Sequence, residues 1–167
     1  MDSKLVKRLS YQPRRVPASG KRYNHAMFNP SSDDVRRFFC ETFRKQRASE
    51  ILTPLETMAS DWIRHHPEYH DVLSDVDTAL TRDYKVEGAQ ANPFLHLSMH
   101  LSIDEQISID QPPGIRALAT ELTLKLDDAH AAQHEIMECL GEMIWNAQRT
   151  GTPPDGAAYI EAIKRRL

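Results

Sequence analysis

Two stretches of this chain repeat one spacing, and the spacing works only on a helix. His96-Leu-Ser-Met-His100-Leu-Ser-Ile-Asp104 and His130-Ala-Ala-Gln-His134-Glu-Ile-Met-Glu138 each read His-x3-His-x3-carboxylate. Residues four apart on an α-helix stand on one face, about a turn apart, so each set can converge on a point. With 8 His in 167 residues, about 0.4 His pairs at this spacing and about 0.05 full triplets are expected by chance. The chain carries two triplets, which predicts two helices that each present histidines along one face.

The faces can be read from the 100° step of the helix. Over residues 92–110, His96 and His100 share a sector with Met99, Ile103 and Ile107; Asp104 lies at its margin and Glu105 points away. Over 128–150, His130 and His134 share a sector with Met137, Gly141 and Ile144, and Glu138 lies at its edge. Both histidine pairs therefore face the expected core. Imidazole nitrogen with carboxylate oxygen is a ligand set for zinc, iron and manganese. The competing reading is a buried polar network, in which the histidines are hydrogen-bonded to carbonyls and carboxylates. Neutral imidazoles each need both a donor and an acceptor partner, which makes four inward histidines hard to satisfy without a cation.

The rest of the chain punctuates into helices. Ser31 or Ser32 caps a helix running to about Ala48, with Asp33 and Asp34 in its first turn and Val35, Phe38, Phe39, Thr42 and Phe43 as its stripe. Thr53-Pro54 with Glu56 forms a capping box. The helix after it turns Leu55, Met58, Ala59, Trp62 and Ile63 inward and stops before Pro67. Residues 67–91 read as short turns ending near Gly88. Asn92-Pro93 starts a long helix broken by Pro112-Pro113-Gly114, and Ile115–Leu126 forms the next, with Leu118, Leu122 and Leu126 on one stripe. Asp127 or Asp128 caps a helix to Thr150, which Gly151 and Pro153-Pro154 end, and a last helix spans about 155–166. No stretch alternates like a strand. The reading is all-α: a helical bundle with a four-helix core and additional short helices, forming a single domain over residues 27–167.

His66 and His70 share the four-residue spacing, but Pro67 takes His66 out of a helix, so this pair reads as a cap and a surface turn. His65 reads as solvated, His25 as part of the tail. Met99, Met137, Trp62 and Trp145 read as core. Cys40 and Cys139 read as reduced thiols of a cytoplasmic protein.

The net charge of −3 conceals an asymmetry. Residues 1–26 hold Lys4, Lys7, Arg8, Arg14, Arg15, Lys21 and Arg22 against Asp2, a balance of +6, while the remainder carries −9. This basic segment lacks an apolar period and reads as a disordered extension. An acidic body argues against a nucleic-acid-binding domain. No apolar run approaches membrane length, and the basic N-terminal residues, with no apolar stretch after them, do not read as a secretory signal. Homo-oligomerisation remains open.

Three segments carry a resemblance: Met27-FNPS, NPFLHLSMHLSIDEQISIDQPPGIR from Asn92, and HAAQHEIMECLGEMIWNAQRTGTPPD from His130. They closely resemble an uncharacterised bacterial domain-of-unknown-function family over about 27–167. Its members begin at the equivalent of Met27, which implies that residues 1–26 are an extension or reflect an upstream start codon. The resemblance implies no activity. By analogy alone, histidine-bearing bundles look like hemerythrin and the DinB-like metal-binding four-helix proteins. This chain lacks the former's distant single histidines and the Glu-x-x-His motif of ferritin-like di-iron proteins.

The expectation is a cytoplasmic bundle that binds a transition metal, iron or zinc, through His96, His100, His130 and His134. Asp104 and Glu138 would be further ligands or acceptors that fix the imidazole tautomers. The alternative is a non-catalytic interaction module with a buried His/carboxylate network. No nucleophile elbow, phosphate loop or dinucleotide fingerprint is present; whether the protein is an enzyme stays open, and no organic cofactor is expected.

Overall fold

A computed structural model describes residues 31–84 and 92–167. The basic segment 1–26, His25, the Met27 motif up to Pro30 and Gly88 lie outside the described residues. Those described form α-helices and one 3-10 turn, with no strand among them, so the protein is an all-α helical bundle. None of these helices is long and apolar enough to cross a membrane.

Backbone packing sorts the chain into two compact units that divide between Leu95 and His96. The first holds α1 (Ser32–Arg47), α2 (Pro54–His65), a 3-10 turn at Pro67–Tyr69, α3 (His70–Leu73) and α4 (Val76–Thr81). Ser31 caps α1, its Oγ accepting from Asp34 N at 3.1 Å while the Asp34 carboxylate accepts from Ser31 N at 2.9 Å. Thr53 and Glu56 form the second capping box at the start of α2. Phe39, Phe43, Ala59, Ile63, Leu73 and Ala79 are buried, and Arg36 Nη1 donates to the carbonyls of Ala79 and Leu80 at the end of α4.

α2 is rotated from its expected setting. Its buried residues are Glu56, Ala59, Ser60 and Ile63, whereas Leu55 is exposed and Trp62 half-buried. The cause is Glu56, which accepts from Lys45 Nζ at 2.7 Å and from Thr53 N at 2.8 Å. Those bonds let a carboxylate lie inside, turning the buried stripe about a quarter-turn from the one read off the apolar residues.

The helix α5 (Pro93–Ile109) starts on Asn92, whose Oδ1 accepts from Phe94 N and Leu95 N. From His96 onward the chain forms the second unit: most of α5, then α6 (Ile115–Leu126), α7 (Ala129–Thr150) and α8 (Gly156–Lys164). The turn after α5 is held by Asp110, whose Oδ1 accepts from Gly114 N and Arg116 N, and by Arg116, which donates to the Ile107 and Ser108 carbonyls. Asp127, at φ 52°, and the cap Asp128 make a two-residue connection from α6 to α7, so these helices run antiparallel side by side.

Four helices contribute to one core. Ile103 comes from α5, Ile115, Leu118 and Leu122 from α6, Ile136, Met137 and Leu140 from α7, and Tyr159 and Ile163 from α8. The sequence misplaces two apolar side chains here. Trp145 is 50% exposed and lies under the Arg149 guanidinium, 5.0 Å from its ring centroid, and Leu126 is exposed at the last turn of α6. A cation over the face of an exposed indole adds about 0.5–1 kcal/mol. Cys40 and Cys139 are buried free thiols, and burial pushes the Cys40 thiol up to about 11.

Candidate metal centre

The second unit brings the histidines of α5 and α7 together. His96 and His100 lie a turn apart on α5; His130 and His134 lie a turn apart in the first turns of α7. Asp128 sets the entry of α7, its Oδ1 accepting from His130 N at 2.8 Å and Ala131 N at 3.1 Å. These backbone N–H groups, that of Ala131 first, hold the Asp128 carboxyl below its ordinary value. The α6–α7 turn thereby places the two histidines of α7 against α5.

Ring centroids are 4.9 Å apart for His96 and His100, 5.1 Å for His96 and His134, and 5.1 Å for His100 and His134. One ring nitrogen from each of His96, His100 and His134 falls within 4.8 Å of the others. His96 Nε2 and His100 Nε2 stand 3.2 Å apart. His100 is fully buried at 0% exposure, and His96 and His134 are half-buried. The His130 ring lies tilted against that of His134, with centroids 4.3 Å apart, and 5.6 Å from that of His100. It flanks the converging three on the side of the α7 N-terminus.

The two carboxylates of the repeated motif have different surroundings. Asp104 is half-buried and accepts a short hydrogen bond from the Gln133 side-chain amide. Gln133, 7% exposed, also contacts His100 Nδ1 through Oε1 at 2.8 Å. Asp104 is therefore linked to His100 through Gln133. Glu138 is 65% exposed and pairs with Arg166 Nη2 at 2.9 Å. Glu105 is exposed, on the side of α5 away from the histidines.

Gln133 is the residue that sequence reading passed over. It lies beside His134 and shares a buried stripe of α7 with Ile136, Met137 and Leu140. A polar residue in phase with that stripe was the available signal. The remaining histidines are held in the first unit. His70 Nε2 donates to the Ile63 carbonyl at 3.0 Å, with its ring 4.7 Å from Phe43. His66 ends α2 as a cap and faces Glu68 Oε1 at 2.8 Å through Nδ1. It is buried, where a surface turn was expected. His65 is exposed, its Nδ1 against the Asp61 carbonyl at 2.9 Å.

Residues 31–165 match the family described as Domain of unknown function (DUF1841). No curated protein and no solved structure matches the chain.

Proposed function

The chain belongs to this family of unknown function, which brings no activity with it, and from its own side chains we propose that the protein binds a transition-metal ion, iron or zinc. His96, His100 and His134 are the proposed ligands, with His130 beside them and Asp104 acting through Gln133. Glu138, engaged with Arg166, is left out of the proposed ligand set.

The observation that carries this reading is the 3.2 Å separation of His96 Nε2 and His100 Nε2. Two imidazole nitrogens bound at about 2.0–2.1 Å to one tetrahedral ion stand about 3.3 Å apart, and at right angles in an octahedral ion about 3.0 Å. The pair already has the spacing of one edge of either polyhedron. Two further observations support it: the third ring nitrogen converges from the facing helix, and His100 has a hydrogen-bonded partner behind it, as ligating histidines usually do. With a position open to water, zinc held by imidazoles makes that water acidic near neutral pH. We place the protein in the cytoplasm, in keeping with two buried free thiols.

A second reading is favoured by one feature. The bonds from His100 to Gln133 and from Gln133 to Asp104 join α5 to α7 with protein groups alone, as in a polar network that specifies helix pairing. Metal analysis and zinc and iron titration of protein purified without a His tag separate the two. The metal reading expects about one ion per chain, lost in His100→Ala and His134→Ala and kept in Glu105→Gln and Glu138→Gln. Wild-type protein that holds no metal and takes up neither ion leaves the polar network as the function of these histidines.

A further inference from the structure

We infer that Gln133 is a positioning residue: together with Asp104 it fixes the tautomer of His100, and so decides which ring nitrogen His100 offers to the cluster. The inference rests on the metal reading for its purpose but not for its chemistry.

The argument runs outward from the carboxylate. An ionised carboxylate can only accept hydrogen bonds, so the group that Gln133 turns toward Asp104 must be its NH2. That removes the usual ambiguity between the oxygen and nitrogen ends of a side-chain amide. Gln133 Oε1 is then the end that faces His100, and an amide oxygen only accepts. The proton in the 2.8 Å contact between His100 Nδ1 and Gln133 Oε1 therefore sits on Nδ1. A neutral imidazole carries one N–H, so His100 Nε2 holds a lone pair directed at His96 Nε2, 3.2 Å away. In that contact His96 donates and His100 accepts.

Without Gln133 the His100 Nδ1–H loses this acceptor. With it, the lone pair is set in advance, inside a site where His100 is fully buried. This is the role of the carboxylate behind a ligating histidine, carried here through one intervening amide. The amide suits the place: it supplies an acceptor to one neighbour and a donor to the other. A leucine of similar size supplies neither.

The test uses the full-length, untagged protein with 15N-labelled histidine. Long-range proton–nitrogen NMR correlations, recorded with chelator at a pH where the imidazoles are neutral, report the protonated nitrogen of His100. Wild type is expected to show Nδ1–H. Gln133→Leu is expected to lose that assignment and to bind zinc about 10–100-fold more weakly. Gln133→Glu keeps an acceptor for His100, shares one proton with Asp104, and is expected to retain both the tautomer and most of the zinc affinity. His100 found as Nε2–H in wild type overturns the inference whether or not any variant folds. Gln133→Leu binding zinc within twofold of wild type, while His100→Ala binds none, overturns it and leaves the metal reading standing. Nδ1–H in a wild-type protein that takes up neither zinc nor iron upholds the tautomer assignment and removes the metal reading.

Discussion

The core under the histidine layer can be perturbed apart from the histidines themselves, and Ile136 is the residue to use. It sits two residues after His134 on α7 and is 0% exposed within the core that all four helices of the second unit share. Ile136→Ala deletes three buried carbons. At about 0.8 kcal/mol each the transfer term is about 2.4 kcal/mol, and the cavity left behind raises the cost to about 3–4 kcal/mol. Ile136→Val, which deletes one carbon, should cost about 1 kcal/mol. Urea unfolding followed by circular dichroism measures both, and the ratio is as informative as either value. Zinc titration of the folded variants should give the wild-type stoichiometry, because no ligand has been removed. His134→Ala, which cuts away a half-buried imidazole, should reverse the pattern, with zinc lost and a smaller change in unfolding free energy. An Ile136→Ala cost below about 1 kcal/mol would refute a closed core at this position, and with it the rigid support assumed for the histidines of the same helix.

Two further outcomes follow from particular contacts. The Lys45 ammonium, with help from the Thr53 backbone N–H, pulls the Glu56 carboxyl down from its ordinary 4.5 to about 2. A carboxyl depressed on folding adds stability that is present above the unfolded value and drains as pH falls toward the folded one, so Glu56 should contribute acid sensitivity between about pH 4.5 and 2. Urea midpoints measured across pH 2–5 should fall less steeply in Glu56→Gln than in wild type, and identical slopes would remove this assignment. Gly151 ends α7 at φ +70°, a left-handed conformation that costs a residue with Cβ about 1 kcal/mol. Gly151→Ala should lower the unfolding free energy by about that much, although nothing lies within 4 Å of the added methyl, and an unchanged value would show that the α7 terminus adjusts.

Helix ends in this chain were legible because their signals are local. The Thr53-Pro54 start with Glu56, the Asp128 cap and the Gly151 stop each act within three or four residues, and the structure uses all of them. Which face of a helix lies inward is a longer-range matter. Glu56 is buried because Lys45 reaches it from α1, and Gln133 because Asp104 and His100 meet it from α5. A pattern that counts polar residues as outward misses both, since their burial depends on partners remote in sequence.

The two carboxylates of the repeated motif show how far spacing alone can be pushed. Each step of four residues turns about 40° beyond a full circle, so the third member of His-x3-His-x3-carboxylate stands about 80° around the helix from the first. That drift is the same on α5 and α7, yet it leads to different neighbours. On α5 it carries Asp104 to the amide of Gln133, on the helix that also bears His134. On α7 it carries Glu138 outward to Arg166, just beyond the end of α8. Identical motifs therefore yield one carboxylate joined to the histidines and one bound into a surface ion pair. The deciding quantity is the side on which the next helix packs, and that is fixed by the two-residue α6–α7 turn and the four-helix core rather than by the motif.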